Sequence, residues 1–189
     1  NSSMARLDTH STAERKIIDF RPLHIRGAQV LGHYQYNKAH PAVPLHQHDH
    51  SIEICYLARG EQIYRVGQED FRVRGGDVFL TFPNEPHSTG RTPEQRGDLY
   101  WLLVNMAPDR RGFLGCELAE GRRLRESLLT IRPRHFKGSP ALKPLLDDVF
   151  TTFENADFAF RKTALVISLV RFLLEILESN RCSRKPTGP

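Results

Sequence analysis

Short apolar segments separated by glycine, proline and acidic residues run through residues 51–106, and this spacing constrains the fold most strongly. Residues 51–57 are rich in β-branched and aromatic side chains, and a turn is expected at 58–60. Segments 62–66 and 71–74 alternate apolar with polar residues, as a hairpin does. Two further strands are predicted at 78–82 and 99–106. Strands repeated at roughly 8–12 residue intervals predict a sandwich or barrel.

The last third of the chain changes to helical periodicity. Three helices are predicted, at 122–130, 144–155 and 158–179. One narrow polar stripe runs along the third of them: Ser168, Arg171, Glu175 and Glu178. Because the rest of that helix is apolar, it needs cover from more than one side. We expect a homodimer through this helix, disrupted by a charge at Leu169; the alternative is burial within one subunit.

Composition excludes a disordered chain, because 39% of the 189 residues are apolar and 26% are charged. The net charge of +5 suggests nucleic-acid binding, but residues 33–107 carry 7 basic and 9 acidic groups. The excess of basic residues lies in 108–189, so the charge does not itself predict DNA binding. Three widely spaced cysteines and the lack of a membrane-spanning run predict a cytoplasmic protein.

Four of the nine histidines lie within eleven residues: His40, His46, His48 and His50. His46 and His48 are two apart on an extended segment and therefore point to one face. Glu53 follows on the next strand, and His87 comes after Pro86. Three imidazoles and one carboxylate suit a divalent Zn, Ni, Mn or Fe ion and leave coordination positions open. The alternative is a hydrogen-bonded polar cluster without a metal.

The remaining histidines carry weaker signals. His40 and His50 are expected at the surface or the rim of the site. Four others have no evident partner in the sequence and are expected to be ordinary: His10, His24, His33 and His135.

Two sequence motifs resemble those of the cupin superfamily. His46-Gln47-His48, then Glu53 and Gly60, is similar to the first cupin motif, and 76–87 is similar to the second. The compact Pro-Asn-Glu-Pro-His-Ser form at 83–88 resembles the N-terminal sensing domains of AraC-type transcription regulators. A helical layer that ends in a long apolar helix and a linker is also similar to that family.

The resemblance implies an α+β, mainly β fold: a cupin-type double-stranded β-helix followed by a C-terminal helical layer. It divides the chain into an N-terminal arm, an effector-binding barrel, a helical dimerisation region and a linker, at 1–24, 25–110, 111–180 and 181–189. The expected function is sensing of a small effector, such as a sugar, in a bacterial regulator. DNA would be contacted only through a helix-turn-helix domain outside this chain.

The resemblance also directs attention to the barrel interior. Six residues are the candidate effector-binding set: His46, His48, Glu53, His87, Trp101 and Tyr64. The first four are also the candidate metal ligands. Trp101 can stack on a sugar ring, or it can be a plain core residue.

The resemblance to a sensing domain predicts no enzyme. Nucleophilic catalysis has no support in the sequence, because it lacks a nucleophile elbow, a P-loop and a dinucleotide-binding glycine motif. The alternative is a metal-dependent single-barrel enzyme, an isomerase or dioxygenase, since cupin barrels support many chemistries.

Overall fold

The computed structural model describes residues 7 and 9–184. The β-strands are β1 Arg15–Asp19, β2 Ala28–Tyr36, β3 Ser51–Val66, β4 Glu69–Arg74, β5 Asp77–Thr81, β6 His87–Ser88, β7 Gly97–Asn105 and β8 His135–Lys137. The α-helices are α1 Leu118–Leu129, α2 Leu142–Glu154 and α3 Arg161–Ser183. A short 3-10 helix, Arg21–Leu23, joins β1 to β2.

The long strand β3 closes the β-structure into a barrel. All pairs are antiparallel, and the main sheet has the order β1-β2-β7-β3-β5-β8. The first half of β3 pairs with β7 and β5, whereas its second half pairs with β4 and β6. One strand is therefore shared by both walls, as in a double-stranded β-helix. The predicted α+β, mainly β fold is confirmed.

The turn expected at 58–60 is wrong, because β3 continues through it. The pairing with β7 shifts register between Leu57 and Arg59, where the strand bends. Gly60 has a φ of 106°, and a Cβ there would lie 2.8 Å from the carbonyl oxygen of Arg96. Glycine thus allows a bulge instead of a chain reversal.

Alternation along the strands separates two apolar regions. Ile52, Ile54 and Tyr56 on β3 pack into a core shared with the three helices. Cys55 and Leu57 belong to a second cluster inside the barrel. Because successive side chains of a strand face opposite sides, the sheet lies between the barrel interior and the helical layer. This explains why segments such as 78–82 are apolar on both faces.

Most of the predicted polar stripe of helix α3 faces outward, since Arg171 and Glu178 are exposed and Glu175 is half-buried, but Ser168 is an exception. Ser168 is buried and donates a hydrogen bond to the carboxylate of Asp148 on α2 at 2.7 Å, so a polar residue is accommodated inside. Ile167 and Leu174 are instead 63% and 48% exposed. Leu169 is 1% exposed within the subunit. The expectation that Leu169 lies at a subunit interface is therefore wrong.

The ends of the predicted regions also differ from the sequence pattern. Part of the predicted arm, Arg15–Asp19, is an edge strand paired with β2. Helix α3 extends to Ser183, into the segment predicted as a linker. The predictions for residues 1–6, 8 and 185–189 lie outside the described residues. Among the described helices, none has a stretch apolar and long enough to cross a membrane.

Candidate metal and ligand site

Four side chains predicted to act together converge at one end of the barrel. His46 and His48 precede β3, Glu53 is the third residue of β3, and His87 begins β6. His46 and His87 exchange two backbone hydrogen bonds of 2.8 and 3.0 Å, which bring the two motifs together. One nitrogen or oxygen from each of the four residues lies within 4.8 Å of the other three. The sequence prediction of their proximity therefore agrees with the structure.

Backbone carbonyls fix the tautomers of two imidazoles. His46 Nδ1 lies 2.8 Å from the Pro44 oxygen, and His87 Nδ1 lies 2.9 Å from the Glu85 oxygen. Because a carbonyl oxygen only accepts, each Nδ1 is the donor and each Nε2 of the neutral ring carries a lone pair. Burial lowers the pKa of His87, which favours its neutral form. Both rings are thereby prepared as nitrogen ligands.

His87 Nε2 is buried without a hydrogen-bond partner among the described residues. An unsatisfied buried polar atom costs about 1–3 kcal/mol. This nitrogen lies 4.0 Å from Oε2 of Glu53, within the cluster. A cation bound at this point would accept the lone pair of His87 Nε2. Hydrogen bonds among these four side chains alone leave that nitrogen without a partner.

Glu53 supplies the negative charge of the cluster. Its Oε2 lies 2.9 Å from His48 Nε2. Burial opposes ionisation, but the hydrogen bond from His48 and the nearby imidazoles of His87, His48 and His46 lower the pKa of Glu53 to about 2. The site therefore presents one carboxylate and three imidazoles toward a common point.

These distances are compatible with a single divalent ion. Two ligands about 2.1 Å from one ion are about 3 Å apart at a right angle and about 4.2 Å apart on opposite sides. The separations of Glu53 Oε2 from His48 and His87, 2.9 and 4.0 Å, lie within that range. All four ligand atoms lie within 4.8 Å of one another, slightly beyond the upper end of that range. The four residues thus fit a site with three nitrogen ligands and one oxygen ligand.

The cluster opens into a cavity of about 240 Å³ inside the barrel. Tyr64 and Trp101, the other two predicted site residues, both line it. Tyr64 stacks on Phe79, with ring centroids 4.9 Å apart. Trp101 lies over Gly32, where an added Cβ would be 2.2 Å from the indole. All six candidate residues therefore surround one cavity, and their binding of an effector stays a prediction.

Sequence reasoning missed two charged residues in the cavity wall. Arg15 comes from β1, and its guanidinium donates to the Tyr34 hydroxyl at 2.6 Å and lies 4.5 Å from the centre of that ring. Glu94 lies in the loop before β7. Burial raises its pKa to about 7 against the opposing effect of Arg15, and Glu53 raises it further. Neither residue belongs to a motif, so the sequence pattern does not single them out, and only the folded structure brings them to the cavity.

Some histidines also have unexpected surroundings. His33 is buried on the helical side of the sheet, where its Nε2 lies 2.5 Å from Asp98 and its ring stacks on Tyr100 at 3.9 Å. The Tyr100 hydroxyl donates to Asp147 of α2 at 2.5 Å. His33 is thus part of a polar contact between sheet and helix, although it was expected to be an ordinary residue without a partner.

Two other histidines differ in their surroundings. His135 also has an acidic partner, since its Nε2 lies 2.9 Å from the carboxylate of Asp77, whereas His50 is exposed as expected.

A barrel with a cluster of polar side chains beside an internal cavity is the architecture of a domain that binds a small ligand. The chain belongs to the family described as the AraC-like ligand binding domain, whose family model matches residues 28–170.

Individual proteins are similar over shorter stretches. An oxalate-binding protein of Thermotoga maritima is 35% identical over 63 residues, which are 33% of this chain and 50% of that protein. The chain therefore spans about half the length of this curated relative.

Two solved structures are also similar. A predicted oxalate decarboxylase from Thermotoga maritima is 21% identical, with 48% of this chain and 80% of that one covered and a TM-score of 0.41. A cupin protein from Bacteroides fragilis is 18% identical, with 62% and 97% covered and a TM-score of 0.42.

Proposed function

We propose that this domain senses a small polar effector for a bacterial transcription regulator of the AraC type. The observation that supports this most directly is the convergence of His46, His48, Glu53 and His87 on a cavity in an AraC-like ligand binding domain. We place the protein in the cytoplasm, where its three free thiols would stay reduced.

The effector is a small molecule with oxygen-bearing groups, such as a sugar. The cavity of about 240 Å³ is smaller than the roughly 300–1,000 Å³ of sites for drug-sized ligands. Trp101 provides an aromatic surface, while Arg15 and Glu94 provide polar groups for hydroxyls or a carboxylate. The partial similarity to an oxalate-binding protein makes small carboxylates the second ligand class to test.

One divalent ion, Zn, Ni, Mn or Fe, is the proposed cofactor. His46, His48, Glu53 and His87 would hold it, and when bound it would attract an oxygen of the effector. His46 and His87 are already oriented for this by the Pro44 and Glu85 carbonyls. His48 would have to ligate from a nitrogen without a proton, so a ligating Nε2 could no longer donate to Glu53.

Helix α3 is the proposed dimer interface. Ile167 and Leu174 are seven residues apart on α3 and are 63% and 48% exposed, and Phe160, the N-cap residue seven positions before Ile167, is 68% exposed. A seven-residue apolar repeat on one face of a helix suits packing against a second helix. We infer that two copies pair through this face and that a separate domain contacts DNA.

Signal transfer would proceed by a shift between two arrangements of the domain. Arg15 belongs to β1 in the predicted N-terminal arm and lines the cavity, so an effector can contact the arm directly. The effector would then favour the arrangement in which the arm packs against the cavity mouth. An effector that binds both arrangements with equal affinity would not shift their populations and would produce no signal.

The test is a thermal-shift screen with sugars and small carboxylates, each with and without Zn²⁺, Ni²⁺, Mn²⁺ or Fe²⁺. A true effector should raise Tm in the unmodified domain and should lose this effect in the His46→Ala/His87→Ala double variant. A variant that stays folded and is still stabilised would place the binding site elsewhere. If none of the ions changes Tm or the effect of the effector, the domain is a sensor that works without a metal.

A metal-dependent single-barrel enzyme, an isomerase or dioxygenase, is the second candidate. The intact set of four metal-ligating side chains favours it. Turnover assays on the metal-loaded domain distinguish the two, because a sensor leaves its ligand unchanged, whereas an enzyme converts the compound that stabilises it.

A further inference from the structure

Cys55 lies beside the proposed metal site and has no role in the ligand set. It is two residues after Glu53 on β3, so both side chains face the barrel interior. In the sheet, Cys55 is opposite Trp101 on β7 and Phe79 on β5. These neighbours bury the thiol and leave it 3% exposed.

The thiol contacts the carboxylate oxygen that does not face His48. Cys55 Sγ lies 3.3 Å from Oε1 of Glu53, whereas Oε2 lies 2.9 Å from His48. The thiol donates toward Oε1, and its sulfur is not one of the four ligand atoms of the cluster.

This contact matters more when an ion is bound. A metal that takes both His48 Nε2 and Glu53 Oε2 as ligands removes the hydrogen bond between them, because His48 can then no longer donate from that nitrogen. Among the hydrogen bonds described for Glu53, the one from Cys55 remains. Such a hydrogen bond would occupy Oε1 and orient the carboxylate, leaving Oε2 as the ligand oxygen.

We propose that Cys55 is a positioning residue that holds Glu53 to ligation through a single oxygen. This inference rests on the proposed metal site and extends it to a residue outside the ligand set. Ligand-orienting hydrogen bonds of this kind typically change metal affinity by about 10–100-fold when they are removed.

Two substitutions separate the hydrogen bond from the packing. Cys55→Val keeps an apolar side chain of similar size but removes the donor, whereas Cys55→Ser keeps a donor. Cys116→Ala is the matched control, because that cysteine is partly buried and lies away from the cavity lining. Thermal unfolding of each variant in chelator first establishes that it is folded.

The readout is a titration with Co²⁺ alone, followed through its visible absorption spectrum, in reducing buffer. We expect Cys55→Val to raise the Kd by about 10–100-fold and to change the spectrum, and Cys55→Ser to restore both to near the unmodified values. Cys116→Ala should change neither.

The outcomes separate this inference from the proposed function. Unmodified protein that binds no Co²⁺ would refute the metal site itself. If the unmodified protein binds and Cys55→Val binds equally well with the same spectrum, the metal site stands and the role of Cys55 is wrong. Equal losses in Cys55→Val and Cys55→Ser would show that the sulfur acts through packing, which also contradicts the proposal.

Discussion

The buried carboxyl group of Glu94 should make the stability of this domain depend on pH. Its pKa is raised from 4.5 to about 7, chiefly by burial, with Arg15 opposing the shift and Glu53 adding to it. The folded state thus binds the proton more tightly than the unfolded chain. Between about pH 4.5 and 7 the unfolded chain ionises first, so the contribution of this group to stability falls as pH rises.

The size of the effect follows from the shift. One pKa unit corresponds to about 1.36 kcal/mol, so a shift from 4.5 to about 7 costs about 3 kcal/mol of unfolding free energy above pH 7. Glu94→Gln replaces the carboxyl group with an uncharged amide of the same shape. We expect the variant to match the unmodified protein at pH 4.5 and to be more stable by up to about 3 kcal/mol at pH 8.

Urea unfolding in chelator at pH 4.5, 6, 7 and 8 measures this difference, since other titrating groups are common to both proteins. The control is Glu69→Gln at an exposed position of β4, expected to stay within about 0.5 kcal/mol. A stability difference for Glu94→Gln that does not change with pH would refute the reasoning.

Other substitutions test the packing. Gly32→Ala would place a Cβ 2.2 Å from the indole of Trp101, so we expect a loss of about 1–3 kcal/mol and a shifted emission spectrum from this single tryptophan. Unchanged fluorescence would show that the indole does not need that space. Leu169→Ala should cost about 2–5 kcal/mol, because the residue is 1% exposed inside the subunit. Ile167→Glu should leave the fold intact and halve the mass measured by sedimentation if α3 is the dimer interface. An unchanged mass would contradict the proposal that α3 is the dimer interface.

The parts of the fold that depend on local patterns could be predicted from the sequence. Alternation located the central strands, and the two histidine-bearing motifs identified His46, His48, Glu53 and His87 before their proximity was known. The cluster of these four side chains could be predicted because each motif carries its own spacing and its own turn residues. Helix periodicity likewise found all three helices.

Features set by long-range pairing could not be predicted in this way. Arg15 reaches the cavity only because β1 pairs with β2, and His33 meets Asp98 only across the pairing of β2 with β7. On α3, the prediction is wrong for one member of the polar stripe, Ser168, because it hydrogen-bonds to Asp148 of α2 inside the subunit. Sequence spacing predicts which side chains lie on the same face of a strand or helix. It does not predict which other element packs against that face.

The alternation along β7 has a consequence for how such a domain can change. Trp101 faces the cavity, while the adjacent Tyr100 faces α2 and contacts Asp147. Odd-numbered and even-numbered positions of this strand are therefore under different constraints. One set lines the cavity, and the other packs against the helices. New ligand preferences can be acquired by altering one set of positions while the other preserves the scaffold.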